Sequence, residues 1–501
     1  YHGTGAQNTS VGCESMEGSH GNSTGAYNVA IGFRAMEQYT TAQDNVAVGY
    51  YALQANTTGP NNTAVGHYAL ASLTTGGENT AVGEYCLQAM TTASNATAVG
   101  WYAGYAHTSG AYLTAVGRGA ARYNTTGANN TAVGGGALFT NVSGNYNVAI
   151  GYDALGTSTV SNNTAVGDSA MMSATTGTEN TAIGRQSLKD VTTGASNTAV
   201  GYRAAYTIQT VGDITAVGAY CLDALTNSGI YNTAFGFKAG TNITDGTRNV
   251  CIGWDAGENI TTGDRNTVVG QNACASGATM TGDDNIIIGR EAGYAMTTGA
   301  SNTLVGNYAG QDLTGATENT GIGMEALQEL TTGSQNTAVG IKAMEDNNVG
   351  IRNTAVGNRA LQHAIDTGSG TPNDNTAIGS NALNDVTHGY QNTAVGSYAG
   401  DNLTTGFSNV YVGDNAGNTH ATGDNSIYVG RACNCSGTSV DTEYVFGTGI
   451  TGKGTQTCFL GGNSGTYNEY NTSSFQTTSD VRIKKNIVDN TTGLDKINQI
   501  Q

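Results

Sequence analysis

Asn-Thr-Ala-Val-Gly recurs along this chain at an almost constant spacing, and that recurrence constrains the fold more than any other feature. The string stands complete at Asn62–Gly66, Asn197–Gly201 and Asn392–Gly396. Followed by its glycine, the motif runs from Gly12 to Gly430 in 25 copies; 19 of the 24 intervals are 17 residues, and the others are 16, 18, 19, 20 and 22. Units of one length repeated this often stack on their neighbours. The surplus residues, as before Gly289 and Gly379, are expected as loops bulging from single coils.

Each position in the unit has its own chemistry. The residue before the glycine is Val or Ile throughout, except Phe235, and Ala prevails two residues before it. Asn stands four residues before the glycine in 21 copies; Ala96, Leu113, Ile214 and Ser426 are the exceptions. Ala-Leu often follows the glycine, as at Ala52-Leu53 and Ala69-Leu70, and Thr-Thr-Gly closes many units, as at Thr74-Thr75-Gly76. Thr-Ala-Val reads as a short strand whose alternate side chains face opposite ways. The expectation is that Val or Ile points into the core, while Ala faces outward and admits close approach by another chain. Ala-Leu would supply the opposite wall, and Thr-Thr-Gly the return turn. Helix is excluded by the density of Gly, Asn and β-branched residues. The fold class that follows is all-β: a parallel β-solenoid, or β-roll, of 17-residue coils.

Stacked coils would bring equivalent asparagines to about 4.8 Å, close enough for side-chain amides to bond along a ladder. Asn62, Asn79, Asn130 and Asn147 are taken as members of it. A second column is aromatic: Tyr51, Tyr68, Tyr85 and Tyr102 fall at one phase in four successive coils. Stacked aromatics stabilise a solenoid exterior, and the same strip could bind carbohydrate.

Composition narrows the function. Glycine numbers 74, proline 2, and charged residues make up 11% of 501 residues. Nineteen Lys and Arg against a net charge of −18 argue against nucleic acid or anionic membrane as a partner. No apolar run approaches the roughly 20 residues that cross a bilayer, so no membrane insertion is expected. Tyr1 is expected to mark a processed or truncated start. Cys86, Cys221 and Cys433 occupy positions where other units carry Ala, which fits small buried hydrophobes. Cys433, Cys435 and Cys458 lack a well-spaced fourth ligand, so neither metal nor cofactor is expected. Twenty-four steps of about 4.8 Å would make a rod of roughly 115 Å. Its core is thin, a few kcal/mol per coil at about 25 cal/mol per Å². Burial of the Ala face in a three-fold assembly, an intertwined homotrimeric fibre, is the expected remedy.

These units resemble the repeats of tail-fibre-like proteins of phages and bacteria, and are similar to the β-roll head of trimeric autotransporter adhesins of the YadA type. The likeness covers about residues 8–435. At the other end, Ser479-Asp480-Val481-Arg482-Ile483-Lys484-Lys485-Asn486-Ile487 and Gly493-Leu494-Asp495-Lys496-Ile497-Asn498 resemble the opening of the S74 intramolecular chaperone domain. That resemblance implies trimerisation, assisted folding and self-cleavage by a Ser and a Lys five residues apart, which Ser479 and Lys484 match. The chemistry is reasonable, because a desolvated Lys can activate a Ser hydroxyl. Three regions follow: a repeat shaft, 1–435; a β-rich neck, 436–478, with Tyr444, Phe446, Phe459, Tyr467, Tyr470 and Phe475; and the start of a chaperone domain, 479–501.

The expected function is a structural and adhesive fibre, on a virion tail or a cell surface, whose partners are its own copies and a surface receptor or glycan. A carbohydrate-binding or ice-binding solenoid is the alternative. A polysaccharide depolymerase is weaker still, because the acidic residues are scattered through turns rather than paired.

Overall fold

The computed structural model describes residues 7–18, 23–226, 228–364, 371–461 and the backbone of 466–468. It divides into two units, residues 1–301 and 302–501. Each is a parallel β-solenoid with turns of about 17 residues, and the described residues contain no helix. The first unit holds β1 (Thr9–Val11) to β17 (Ile286–Ile288), and the second holds β18 (Thr303–Val305) to β28 (Thr466–Asn468). Every strand is three residues long.

Neighbouring strands pair in perfect register. In β4 (Thr63–Val65) and β5 (Thr80–Val82), Thr63 faces Thr80, Ala64 faces Ala81 and Val65 faces Val82. Backbone bonds between coils continue well beyond the strands: Tyr68 N–H donates to Tyr50 O, Leu70 N–H to Cys86 O and Thr74 N–H to Thr91 O. The first threonine of Thr-Thr-Gly adds a side-chain rung, with Thr57 Oγ1 donating to Thr74 O at 3.0 Å and Thr74 Oγ1 to Thr91 O at 2.9 Å.

The strand faces the opposite way from the sequence expectation. Ala64, Ala81 and their equivalents are fully buried, whereas Val82 is 37% and Ile31 39% exposed. Phe235, in the same column, is 58% exposed. The reason is volume. A 17-residue coil is too narrow for two branched side chains to meet across it, so Leu53 or Leu70 fills the interior from the opposite wall and the strand contributes only a methyl group.

In several coils the exchange is reciprocal. Gly400 and Gly417 replace that wall leucine where Tyr411 takes the alanine position. A Cβ on either glycine would come within 2.8 Å and 2.2 Å of the Tyr411 ring. Gly310 likewise faces Leu304, and in the next coil Gly321 takes the strand position while Leu327 supplies the bulk. In these coils volume is conserved across the two positions, although others, such as Ala115 with Ala121, are small at both.

Three non-glycine residues in a typical coil adopt left-handed backbone: the second and fourth after the motif glycine and the one before the asparagine, as in Tyr68 (φ 56°), Leu70 (φ 51°) and Glu78 (φ 62°). Single left-handed residues bend the chain sharply, and the bonds from both neighbouring coils hold them there. The motif glycine is more tightly determined. Gly66 has φ +140°, and a Cβ on it would lie 2.4 Å from Gly83 O in the next coil.

The 19-residue and 22-residue intervals are bridged at their base. Arg265 pairs in two-pronged fashion with Asp284 (2.6 and 2.9 Å), and Arg352 with Asp374 (2.7 and 2.8 Å), each across one long interval. The surplus before Gly289 bulges around Ser276–Ala278, after which Met280 rejoins the stack by bridging Ile260. Part of the surplus before Gly379, residues 365–370, lies outside the described residues.

Parallel stacking also runs past Cys435 into the stretch expected as a neck. β26 (Tyr444–Phe446) and β27 (Cys458–Leu460) continue it, and β28 then pairs antiparallel with β27.

Gly66→Ala should therefore destabilise its coil by about 3 kcal/mol or more, since strain and backbone overlap add. Amide hydrogen exchange would show lost protection in the coils carrying Gly49, Gly66 and Gly83. Unchanged protection there would contradict the assignment.

Candidate functional site

From Asn28 onward the asparagine column lies inside. Asn62 Oδ1 accepts the Asn79 N–H at 3.0 Å and also its Nδ2–H at 2.9 Å. Asn79 Nδ2 donates to Ala93 O at 3.1 Å, on the return turn of its own coil. Asn130 and Asn147 repeat the pattern: Asn130 Oδ1 accepts the Asn147 N–H at 3.0 Å, and Asn130 Nδ2 donates to Gly144 O at 2.8 Å. Each side chain thus ties its strand to the next coil and to its own turn. A buried backbone carbonyl and N–H would otherwise lack partners. This geometry makes the column structural and leaves no face of it open to a ligand.

The aromatic column lies outside. Tyr51 and Tyr68 stack at 5.1 Å and 2°, Tyr68 and Tyr85 at 5.6 Å and 7°, and Tyr85 and Tyr102 sit at 4.9 Å and 31°. A second column runs beside it through Phe33, Tyr50 and His67, with steps of 5.3 and 5.1 Å. The two meet edge to face, as Tyr50 meets Tyr51 at 4.4 Å and 72°. Arg34 closes one end: its Nη1 donates to Tyr51 OH at 3.2 Å and its Nε pairs with Glu14. Burial against neighbouring rings raises the Tyr50 and Tyr85 phenols above their ordinary range. The result is a continuous aromatic wall over coils 33–102, suited to stacking against apolar ring faces.

The cysteines are free. Burial pushes the thiols of Cys86, Cys221 and Cys274 up to about 12 and that of Cys433 to about 11, so they remain thiols. Ser479 and Lys484 lie outside the described residues.

A buried polar cluster in the second unit went unread in the sequence. Tyr411 and Tyr428 occupy the alanine column and stack at 5.6 Å and 5°. Tyr411 OH donates to His420 Nδ1 at 2.6 Å, and His420 Nε2–H donates to Val440 O at 2.8 Å. Glu443 stands in the asparagine column and is fully buried. It accepts from Tyr428 OH at 3.0 Å, Ser436 N–H at 3.1 Å and Gly454 N–H at 2.8 Å. The signal was available: Val-Tyr-Val and Ile-Tyr-Val replace Thr-Ala-Val in consecutive units. All of these groups face one another, so the cluster is a plug for the core rather than an open site.

Compared with known protein families and with curated proteins, the chain matches no family model and no curated relative. No helix among the described residues is long and apolar enough to cross a membrane.

Burial holds His420 below its ordinary pKa. Its neutral form is the one bonded, so the unfolded chain takes up a proton that the folded chain refuses as pH falls below about 6.5. Stability at this site is therefore present above that pH and declines as pH drops toward the lowered value. His420→Asn, which installs the residue found at this phase in Asn56 and Asn124, should flatten the fall in the second unit's denaturation midpoint between pH 7 and 5. An identical pH profile in the variant would contradict the role.

Proposed function

We propose that this chain forms the shaft of an extracellular fibre, of the virion tail-fibre or surface-adhesin kind, assembled as a homotrimer and acting mechanically and adhesively. The observation that carries the reading is the outward column of Val and Ile. In the first unit Val82, Val99, Ile150, Ile183 and Ile252 are all between 37% and 41% exposed, and in the second unit Ile322, Ile378 and Val395 match them. Alternating with half-buried threonines, they form a flat and largely uncharged strip on each unit. A strip of that extent on a lone chain favours association, and sister copies carrying the same strip in the same register are the natural cover. The intermolecular face is thus the valine side of the strand.

The resemblance of residues 479–501 to an S74 opening supports chaperone-assisted trimerisation with a single self-cleavage beside Ser479, activated by Lys484. The aromatic wall supports adhesion, with a glycan or glycosylated receptor as partner. Ice binding is the second reading, favoured by the regular outward Thr and Val array; it requires that face to stay uncovered.

Native mass from light scattering, set against the denatured chain mass, tests the assembly. A ratio of three is expected, falling to one when Val82 and Val99 are both replaced by Lys. A ratio of one for the unaltered chain would overturn the trimer and turn attention to thermal hysteresis. Ser479→Ala should abolish any cut without changing the mass ratio.

A further inference from the structure

The aromatic wall stops abruptly, and the gap has the form of a binding groove. After Trp101-Tyr102, the same two phases carry Arg118-Gly119 and then Gly135-Gly136, before Tyr152-Asp153 resumes the wall. The two glycine-bearing coils leave a cleft of about 440 Å³ on this face. Trp101 and Tyr152 stand at its two ends, 45% and 60% exposed, three coils or about 14 Å apart.

Backbone geometry does not demand these glycines. Gly119 and Gly136 have φ +66° and +69°, close to the 58° of Tyr102 at the same phase. A Cβ on Gly135 would meet Tyr152 at 3.5 Å and Arg118 O at 4.0 Å, ordinary contacts, whereas one on Gly136 would have to displace the Asp153 carboxylate, 2.2 Å away. What they provide is space.

The positive charge in this space is not met by carboxylates. Elsewhere Arg34, Arg203, Arg265 and Arg352 each hold a carboxylate from a neighbouring coil. Among the described residues Arg118 and Arg122 hold none, as is also true of Arg248, Arg359 and Arg431, but only these two share a groove lined by exposed rings. Arg122 lies 4.5 Å over the Tyr102 ring and 5.8 Å from that of Phe139, with its buried Nε lacking any hydrogen-bond partner. Arg118 reaches over Trp101 at 5.9 Å. Two guanidinium groups without acids, in a chain of net charge −18, mark a site for an anion. The exposed rings beside them mark a flat apolar partner, and Asp153 at the far rim adds an acceptor for hydroxyl groups.

We propose that this groove binds a carboxylated sugar within a surface polysaccharide. The ring stacks on Trp101 or Tyr152, its carboxylate is taken by Arg118 and Arg122, and its hydroxyls are read by Asp153. The inference rests on the adhesive reading above for its biological setting, but its chemistry is independent of assembly.

The test is calorimetric titration of the full chain with tri-galacturonate, its methyl ester and 3′-sialyllactose. The free acid and the sialylated probe should bind, and the ester at least ten-fold more weakly. Gly135→Tyr, which restores the residue type found at Tyr50 and Tyr152, should abolish binding while leaving the circular dichroism spectrum and native mass unchanged. Arg118→Gln should reduce binding at least five-fold. Equal affinity for acid and ester, binding undiminished in Gly135→Tyr, or no binding of either acidic probe at millimolar concentration would each overturn the proposal. A native mass ratio of one together with acid-selective binding would remove the trimeric fibre and leave the groove standing.

Discussion

The interaction on which the rest of the structure depends is the bond between one coil's asparagine and the next. A single side chain supplies an acceptor for the N–H of its successor and a donor for its own return turn. Along most of the column that pair of bonds holds the distance across the coil, and the coils of Ala96 and Leu113 keep the same 17-residue period between neighbours that carry it. Once the width is set, a leucine on the facing wall leaves room for only a methyl group on the strand side of the interior, and the branched residue before the glycine is pushed outward. The glycine follows from the same constraint, because coils pinned this closely leave no room for a Cβ between Gly66 and Gly83. A column of buried amides also selects register: a coil slipped by one residue would bury threonine hydroxyls and leave the amides without partners.

Much of this was legible in the sequence, and the limits have physical causes. The period, the parallel strands, the ladder positions and the stacked tyrosines could be read because each depends on spacing alone. Which face of Thr-Ala-Val turns inward could not, because alternation assigns two faces without naming them. Hydrophobicity favoured valine, but the space left by the facing leucine decided for alanine. The pairs Tyr411 with Gly400 and Gly417, and Leu304 with Gly310, carry that information in the sequence itself: bulk on the strand always coincides with its loss on the facing wall. Read as compensating volumes, they identify alanine as the interior residue. The left-handed residues stayed hidden for a different reason, since Tyr68 and Leu70 are not residues that favour such backbone, and only bonds from adjoining coils hold them there.

The inversion has a functional consequence. A solenoid with its valines inside would carry its threonines inward with them and present a column of alanines. With the valines outside, each unit displays an apolar strip on one side and, in the first unit, an aromatic wall with a cationic cleft on another. In the proposed function, association and recognition therefore fall on separate faces of the coil, and substitutions can address one without the other.

The central claim is that the asparagine donor holds the coils that carry it, and Asn79→Asp tests it most directly. The acceptor for Ala96 N–H is kept, while the donor to Ala93 O becomes a carboxylate facing a carbonyl whenever it is ionised. Burial beside a carbonyl raises the carboxyl pKa above its unfolded value near 3.9, so stability is present below that pH and lost as pH rises through the raised value. Hydrogen exchange on the coils carrying Gly66, Gly83 and Gly100 should show near-native protection at pH 4 and a local loss at pH 7 that the unaltered chain does not show. Protection equal to that of the unaltered chain at pH 7 would mean that the ladder does not set the coil.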